Sequence, residues 1–325
     1  MQPVIFLRKR SSNIRCATLS PFVLALALFL PAAAWAQDPT GAQIGTQQDI
    51  VRRGEQSTQG QRIPFRLTDP ELGEIDLVSR APRPKTFTFW TDQSLFYSTN
   101  AFLVPNGEQD DVFWNGRLVG SWVPYATRNF TPRLTFEQNF FRYSDFSRLD
   151  FDSQSLQFDM KYDFARDDST FANLSYTGAR LYSPRGSTGE FYRYGLVNAS
   201  ATHIWSLQGL PIQIGGTLGA TWRHGDPSDF DRATAYLTLV LLYSPTDTLQ
   251  CAVFVRPEGQ SYIHDPVSNS RRDFNFSSGA SATWTPINYF SLGVTATFTG
   301  NYSSVGAEDY DVFLPSVVAT GRFSF

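Results

Sequence analysis

Residues 156–164 read "LQFDMKYDF". Leu156, Phe158, Met160, Tyr162 and Phe164 fall on one side of an extended chain, and Gln157, Asp159, Lys161 and Asp163 on the other. A helix would scatter these side chains around its circumference, whereas a strand, with its period of two, separates them cleanly. The stretch is therefore a strand with one apolar and one ionised face.

The same alternation recurs downstream as Ile212, Ile214, Leu218, Ala220 and Trp222, as Phe274, Phe276, Ala280, Ala282 and Trp284, and as Phe290, Leu292, Val294, Ala296 and Phe298. Opposite them stand Gly, Ser, Thr and occasional charges. Composition agrees: 28 Phe and 14 Tyr against 2 Met favour pleated surfaces, on which flat rings pack well. Within one strand the pattern also suits a soluble sandwich with its apolar face inside.

Spacing between strands narrows the choice. The aromatics Trp122, Tyr162, Trp205, Tyr243, Trp284 and Phe325 recur at intervals of 40, 43, 38, 41 and 41 residues, one hairpin per interval. Three of them open aromatic-x-Pro turns, "WVP", "YSP" and "WTP", where proline is expected to stop the strand. The opposite ends carry longer acidic stretches, "PNGEQDD", "HGDPSDFD" and "VGAEDYD", so short turns and long loops alternate. A propeller blade would need four short strands in each period, and each interval holds only two long ones.

Ten residues at about 3.3 Å each, tilted near 40°, cover roughly 25 Å, the apolar height of an outer-membrane barrel. Six hairpins give about twelve strands, expected over 86–103, 112–123, 132–143, 154–164, 170–182, 191–206, 211–223, 232–243, 248–262, 273–284, 289–300 and 312–325. Both ends of such a barrel lie on the short-turn side. Trp90, Trp122, Trp205 and Trp284 are expected as an aromatic girdle there, with Trp114 and Trp222 at the loop end.

The N-terminus bears on compartment. Arg8, Lys9, Arg10 and Arg15 precede the apolar core "PFVLALALFL", and Ala34-Trp35-Ala36 forms a small-x-small cleavage site. Export with cleavage after Ala36 is expected. Removing residues 1–36 takes away four basic residues and leaves 23 basic against 30 acidic, a formal charge of −7. That balance makes nucleic acid an unsuitable partner. Cys251 is the one cysteine left, so no internal disulfide staples the fold. Residues 37–85, Gln- and Gly-rich with two prolines in "SRAPRPK", read as a mostly disordered periplasmic extension, and 86–325 as the barrel.

The chain ends "SVVATGRFSF", with Val317, Ala319, Phe323 and Phe325 on one face. With the export signal and the paired amphipathic strands, this closing strand resembles the bacterial outer-membrane β-barrel superfamily. The resemblance covers residues 86–325 as architecture and departs at Gly321, where a bulky residue is usual. It implies a closed antiparallel transmembrane β-barrel with periplasmic termini. Val317, Ala319, Phe323 and Phe325 would then be the signal read by the barrel-assembly machinery. The implied partners are the secretion machinery, outer-membrane lipid and lipopolysaccharide.

If apolar faces meet lipid, Arg117, Glu137, Asp159, Lys161, Asp163, Arg223, Arg256, Glu258, Asp273 and Arg322 line the lumen, because each charge at mid-depth on the lipid side would cost a few kcal/mol. Both signs occur, so the set suits either a polar path or an ion-pair network that plugs the barrel. Twelve strands lie between filled and open diameters. The inward Gly215, Thr217, Gly219, Ser277, Gly279, Ser281, Gly293 and Thr295 suggest a thin wall and a pore, the alternative being room for Tyr236 and Phe254. Residues 37–85 are a candidate plug. An enzyme is the rival class, with His224 near Asp226, Asp229 and Asp231, but no nucleophile motif accompanies it. No cofactor is implied, and the acidic loops match no calcium-loop spacing.

Overall fold

The computed structural model describes residues 67–69, 73–75, 85–127, 129–164, 169–184, 189–207, 210–266, 268 and 270–325. The export segment 1–36, its cleavage after Ala36 and most of 37–85 lie outside the described residues. Within 67–75, β1 (Leu67–Asp69) pairs antiparallel with β2 (Gly73–Ile75).

Twelve strands follow: β3 (Phe87–Ser98), β4 (Asp111–Trp122), β5 (Phe130–Tyr143), β6 (Phe151–Asp163), β7 (Thr170–Tyr182), β8 (Glu190–Ser206), β9 (Ile212–Asp226), β10 (Arg232–Tyr243), β11 (Leu249–Tyr262), β12 (Arg272–Ile287), β13 (Phe290–Ser303) and β14 (Tyr310–Ser324). Each pairs antiparallel with its neighbours in sequence, and β14 closes on β3 from Ser316↔Phe96 to Ser324↔Thr88. At the seam Phe87 and Phe325 exchange backbone hydrogen bonds of 3.0 Å in both directions, and their rings lie 6.1 Å apart. Closure leaves no unpaired edge in the barrel, which matters most where no water can satisfy a free N–H or C=O.

The pairing registers fix the two faces. Large apolar side chains, among them Phe89, Leu95, Leu118, Phe136, Leu156, Phe158, Leu218, Leu239, Val253, Val294 and Val317, stand exposed on the outer wall. Charged and small polar side chains alternate with them on the enclosed face.

Each strand expected from the sequence has one counterpart, with differences at particular ends. Residues 99–103 leave the first strand. The Asn100 amide donates to the carbonyls of Val104 at 2.8 Å and Asp311 at 3.1 Å, and its Oδ1 accepts from Val104 N–H, which turns the chain inward. Leu103 completes the turn at φ 51°. Proline ends β4 and β10 as expected, but β12 runs past Pro286 through a register shift to pair Ile287 with Phe290. A bulge absorbs the missing N–H at that edge.

Candidate functional site: the lumen and its mouth

The ten charged residues singled out above all sit on the enclosed face. Arg117 is buried on β4, 3.6 Å from Asp92 of β3 and ion-paired with Glu137 of β5. Thr320 of β14 donates to Asp92 at 2.7 Å, and Asn139 donates to Glu137 at 2.7 Å, so four strands share one network across the seam. Lys161 pairs with Asp163 at 2.7 Å and caps the Phe171 ring at 4.5 Å, while Asp159 accepts from Gln157. Arg256 bonds Glu258 at 3.0 Å and stacks 4.1 Å from the Tyr236 ring. Arg223 stacks on Tyr194 at 4.4 Å and lies opposite Arg232 in the β9–β10 register. Arg322 lies opposite Trp90 on the β14–β3 seam.

Trp90 departs from its expected place. It is buried on the enclosed face, because Phe87, Phe89, Leu95 and Tyr97 set the outward parity of β3 and leave the even positions inside. Trp122, Trp205 and Trp284 are exposed near the short turns, and Trp114 and Trp222 near the loops. Val317, Phe323 and Phe325 are exposed on the outer face, and Ala319 shares it. Asp92, part of the Arg117 network, was not singled out from the sequence, although the same parity rule places it beside Ser94 and Thr88.

The thin wall is only partly thin. A Cβ on Gly219 would lie 2.4 Å from the Tyr236 ring and one on Gly279 2.7 Å from the Phe254 ring, so these glycines make room for inward aromatics. Tyr236 reaches on to donate to Asn198 at 2.9 Å. At Gly215 nothing lies within 4 Å of the same position, and the wall there is open.

The loop-end mouth is built in two halves. Over β3–β8 and β14 an apolar core fills it, with inward Phe96, Phe113, Phe141, Phe151, Leu181 and Leu314 meeting Ala101, Phe102 and Leu103 of the turned-in loop. Phe96 stacks on Phe113 at 4.9 Å and Phe141 on Phe151 at 4.2 Å. Over β11–β14 the closure is ionic. Arg271 meets Asp265 at 3.1 Å, Asp273 at 2.6 Å and Glu308 at 3.2 Å, all with little solvent access. Burial alone would lower the Arg271 pKa, yet the hydrogen bond to Asp273 and the surrounding carboxylates hold it above its ordinary value. Glu308 is pushed up, first by burial and then by Asp265 and Asp273, with Arg271 opposing. The two directions fit together: one cation faces three anions, so the cation gains, and Glu308, whose burial Arg271 does not offset, loses.

The histidine cluster does not assemble. Asp226 pairs with Arg193, and Asp231 accepts from Gly225 N–H and lies 3.3 Å from His264, while His224 points outward over Gly195. His203, at the short-turn end, meets Thr170 at 2.6 Å and the Trp205 ring at 4.5 Å. Among the described residues no group of three His, Cys, Asp or Glu side chains is placed to hold a metal ion.

The chain matches no protein-family model and no curated protein by sequence. Among solved structures it is similar to an outer membrane channel from Pseudomonas putida F1, at 13% identity and a TM-score of 0.53, over 77% of this chain and 100% of that one. The translocator domain of the autotransporter NalP from Neisseria meningitidis is also similar, at 12% identity and a TM-score of 0.46, over 90% of this chain and 100% of the other. The fold is that of the twelve-stranded outer-membrane β-barrels.

Proposed function

We propose that the protein is a barrel of the bacterial outer membrane, exported with loss of residues 1–36, with residues 37–85 and both termini in the periplasm. Its lumen passes small solutes passively or with weak selectivity. One observation carries this reading: sidedness is inverted relative to a soluble protein, with bulky apolar side chains exposed around the wall and ionised ones enclosed. Soluble monomers rarely expose contiguous apolar patches beyond a few hundred Å². The tryptophans at the two ends suit headgroup depth, and Val317, Ala319, Phe323 and Phe325 are placed to be read during assembly.

Lumenal charges of both signs favour weak over strong ion selectivity, and the open wall at Gly215 leaves room on that side. A second reading, a non-conducting barrel acting through its loops, draws support from the apolar core in the mouth. Single-channel recording in planar bilayers separates them. Steady conductance supports the pore, and reproducible silence from folded, inserted protein supports the scaffold.

A further inference from the structure

Across β6–β9 the outer wall changes character toward the loop end, and the strand registers arrange the change in rows. One row is apolar: Phe158, Tyr176, Val197 and Trp222. The next contains two side-chain-free positions, in the order Leu156, Gly178, Gly195 and His224. The row above is polar and charged: Gln154, Arg180, Arg193 and Asp226. The missing side chains of the middle row open an outward groove of about 670 Å³. His224 and Tyr176 lean over Gly195, where a Cβ would lie 2.4 Å from the imidazole and 2.8 Å from the phenol oxygen. At Gly178 the nearest atom is 3.9 Å from the same position, so the floor there is free.

The chemistry of the rim is directional. Arg180 is held by an amide oxygen, its Nε donating to Gln154 Oε1 at 2.8 Å, and Glu190 adds a carboxylate to the same lining. Arg193 lies beside Arg180 in the register and pairs with Asp226 at 2.8 Å. Both members of that pair are about two-thirds exposed, at 65% and 69%. An exposed pair of this kind is worth only about 0–1 kcal/mol and yields readily to a stronger anion. Guanidinium groups bind phosphate through paired, charge-assisted hydrogen bonds. The groove therefore offers two guanidinium groups above an apolar slot, with the amide of Gln154 and the carboxylates of Glu190 and Asp226 alongside to meet hydroxyl groups.

We propose that this groove binds one phosphorylated glycolipid of the outer leaflet. A phosphate sits on Arg180 and Arg193, sugar hydroxyls face Gln154 and Asp226, and one acyl chain lies over Gly178 against Leu156 and Tyr176. The inference rests on the outer-membrane reading, which sets the loop end of the wall in that leaflet.

The test uses the mature protein in detergent micelles and native mass spectrometry. The probes are a hexa-acylated glucosamine disaccharide bisphosphate, the same lipid without phosphates, and phosphatidylglycerol. The expected result is retention of the bisphosphate, reduced on the order of tenfold by Arg180→Gln with Arg193→Gln, by Gly178→Leu, and by removal of the phosphates. These positions face outward, so barrel folding, followed by β-sheet circular dichroism, should be unchanged. Equal retention by wild type and both folded variants overturns the proposal, as does equal retention of phosphatidylglycerol. A barrel that inserts into vesicles yet ignores the bisphosphate overturns this inference alone, whereas a chain that stays monomeric in water without detergent overturns the outer-membrane reading with it.

Discussion

Replacing Arg271 by methionine tests the ionic half of the mouth. The substitution keeps the length of the aliphatic stem and removes the charge. Asp265, Asp273 and Glu308 approach the guanidinium at 3.1, 2.6 and 3.2 Å, and the four side chains are no more than 11% exposed. Without the cation three carboxylates share a site that water hardly reaches. Removing one partner of a buried ion pair costs about 3–5 kcal/mol, mostly the penalty of the charge left behind. With a urea slope of about 2 kcal/mol/M, the unfolding midpoint should fall by about 1.5–2.5 M. Tryptophan fluorescence of the protein in detergent or vesicles, followed along a urea series, measures it. Adding Asp265→Asn and Glu308→Gln to Arg271→Met should restore much of the loss, because neutral amides need no counter-charge. Arg271→Lys should fall between, since an ammonium cannot meet three acceptors in one plane. A midpoint lowered by less than about 0.5 M for Arg271→Met would refute the argument, because it would mean the carboxylates are solvated or protonated without cost.

Glu308 predicts a pH dependence of defined sign. Its folded pKa lies above the ordinary 4.5, so the folded state holds the proton more tightly than the unfolded one. Stability from this group is therefore greatest in acid and declines as pH rises from about 4.5 upward, and Glu308→Gln should flatten that part of a midpoint-against-pH curve. On the lumenal wall, Gly219→Val should destabilise by about 1–3 kcal/mol in urea unfolding by forcing Tyr236 aside, whereas Gly215→Val, with open space around it, should leave the midpoint almost unchanged. At the seam, deletion of Phe325 removes two backbone hydrogen bonds to Phe87 and the ring contact beside them. Membrane-fraction yield in cells should fall, while refolding of purified chain into detergent should survive.

What the sequence displays is parity, and parity decides most of this architecture. In β6 the face of Asp159, Lys161 and Asp163 can be read without coordinates, because a period of two admits only two sides and one of them is ionised. Distance from a turn misplaces Trp90, whereas the alternation of Phe87 and Phe89 around it sets it inside. Residues 101–103 are apolar and look like strand, yet the turn is dictated by Asn100 reaching the carbonyl of Asp311, a contact across 211 residues that no local pattern displays. Arg271, Asp265 and Glu308 were illegible for the same reason. Glu308 comes from the β13–β14 loop and meets the β11–β12 loop only when the barrel has closed. The outer groove was illegible because Gly178 and Gly195 come from different strands and become neighbours only through register.

The two halves of the mouth are held by different forces, and this bears on how the barrel would open. The apolar half gains from removing rings such as Phe96, Phe113 and Phe151 from water, a term that salt and pH in the neutral range hardly change. The ionic half depends on one guanidinium compensating three carboxylates, and Glu308 is the member whose burial is least compensated. Salt does little to screen charges so far from solvent. Protonation, in contrast, acts directly, and in the direction of tightening. A conducting state that widened on acidification would thus have to come from elsewhere in the lumen.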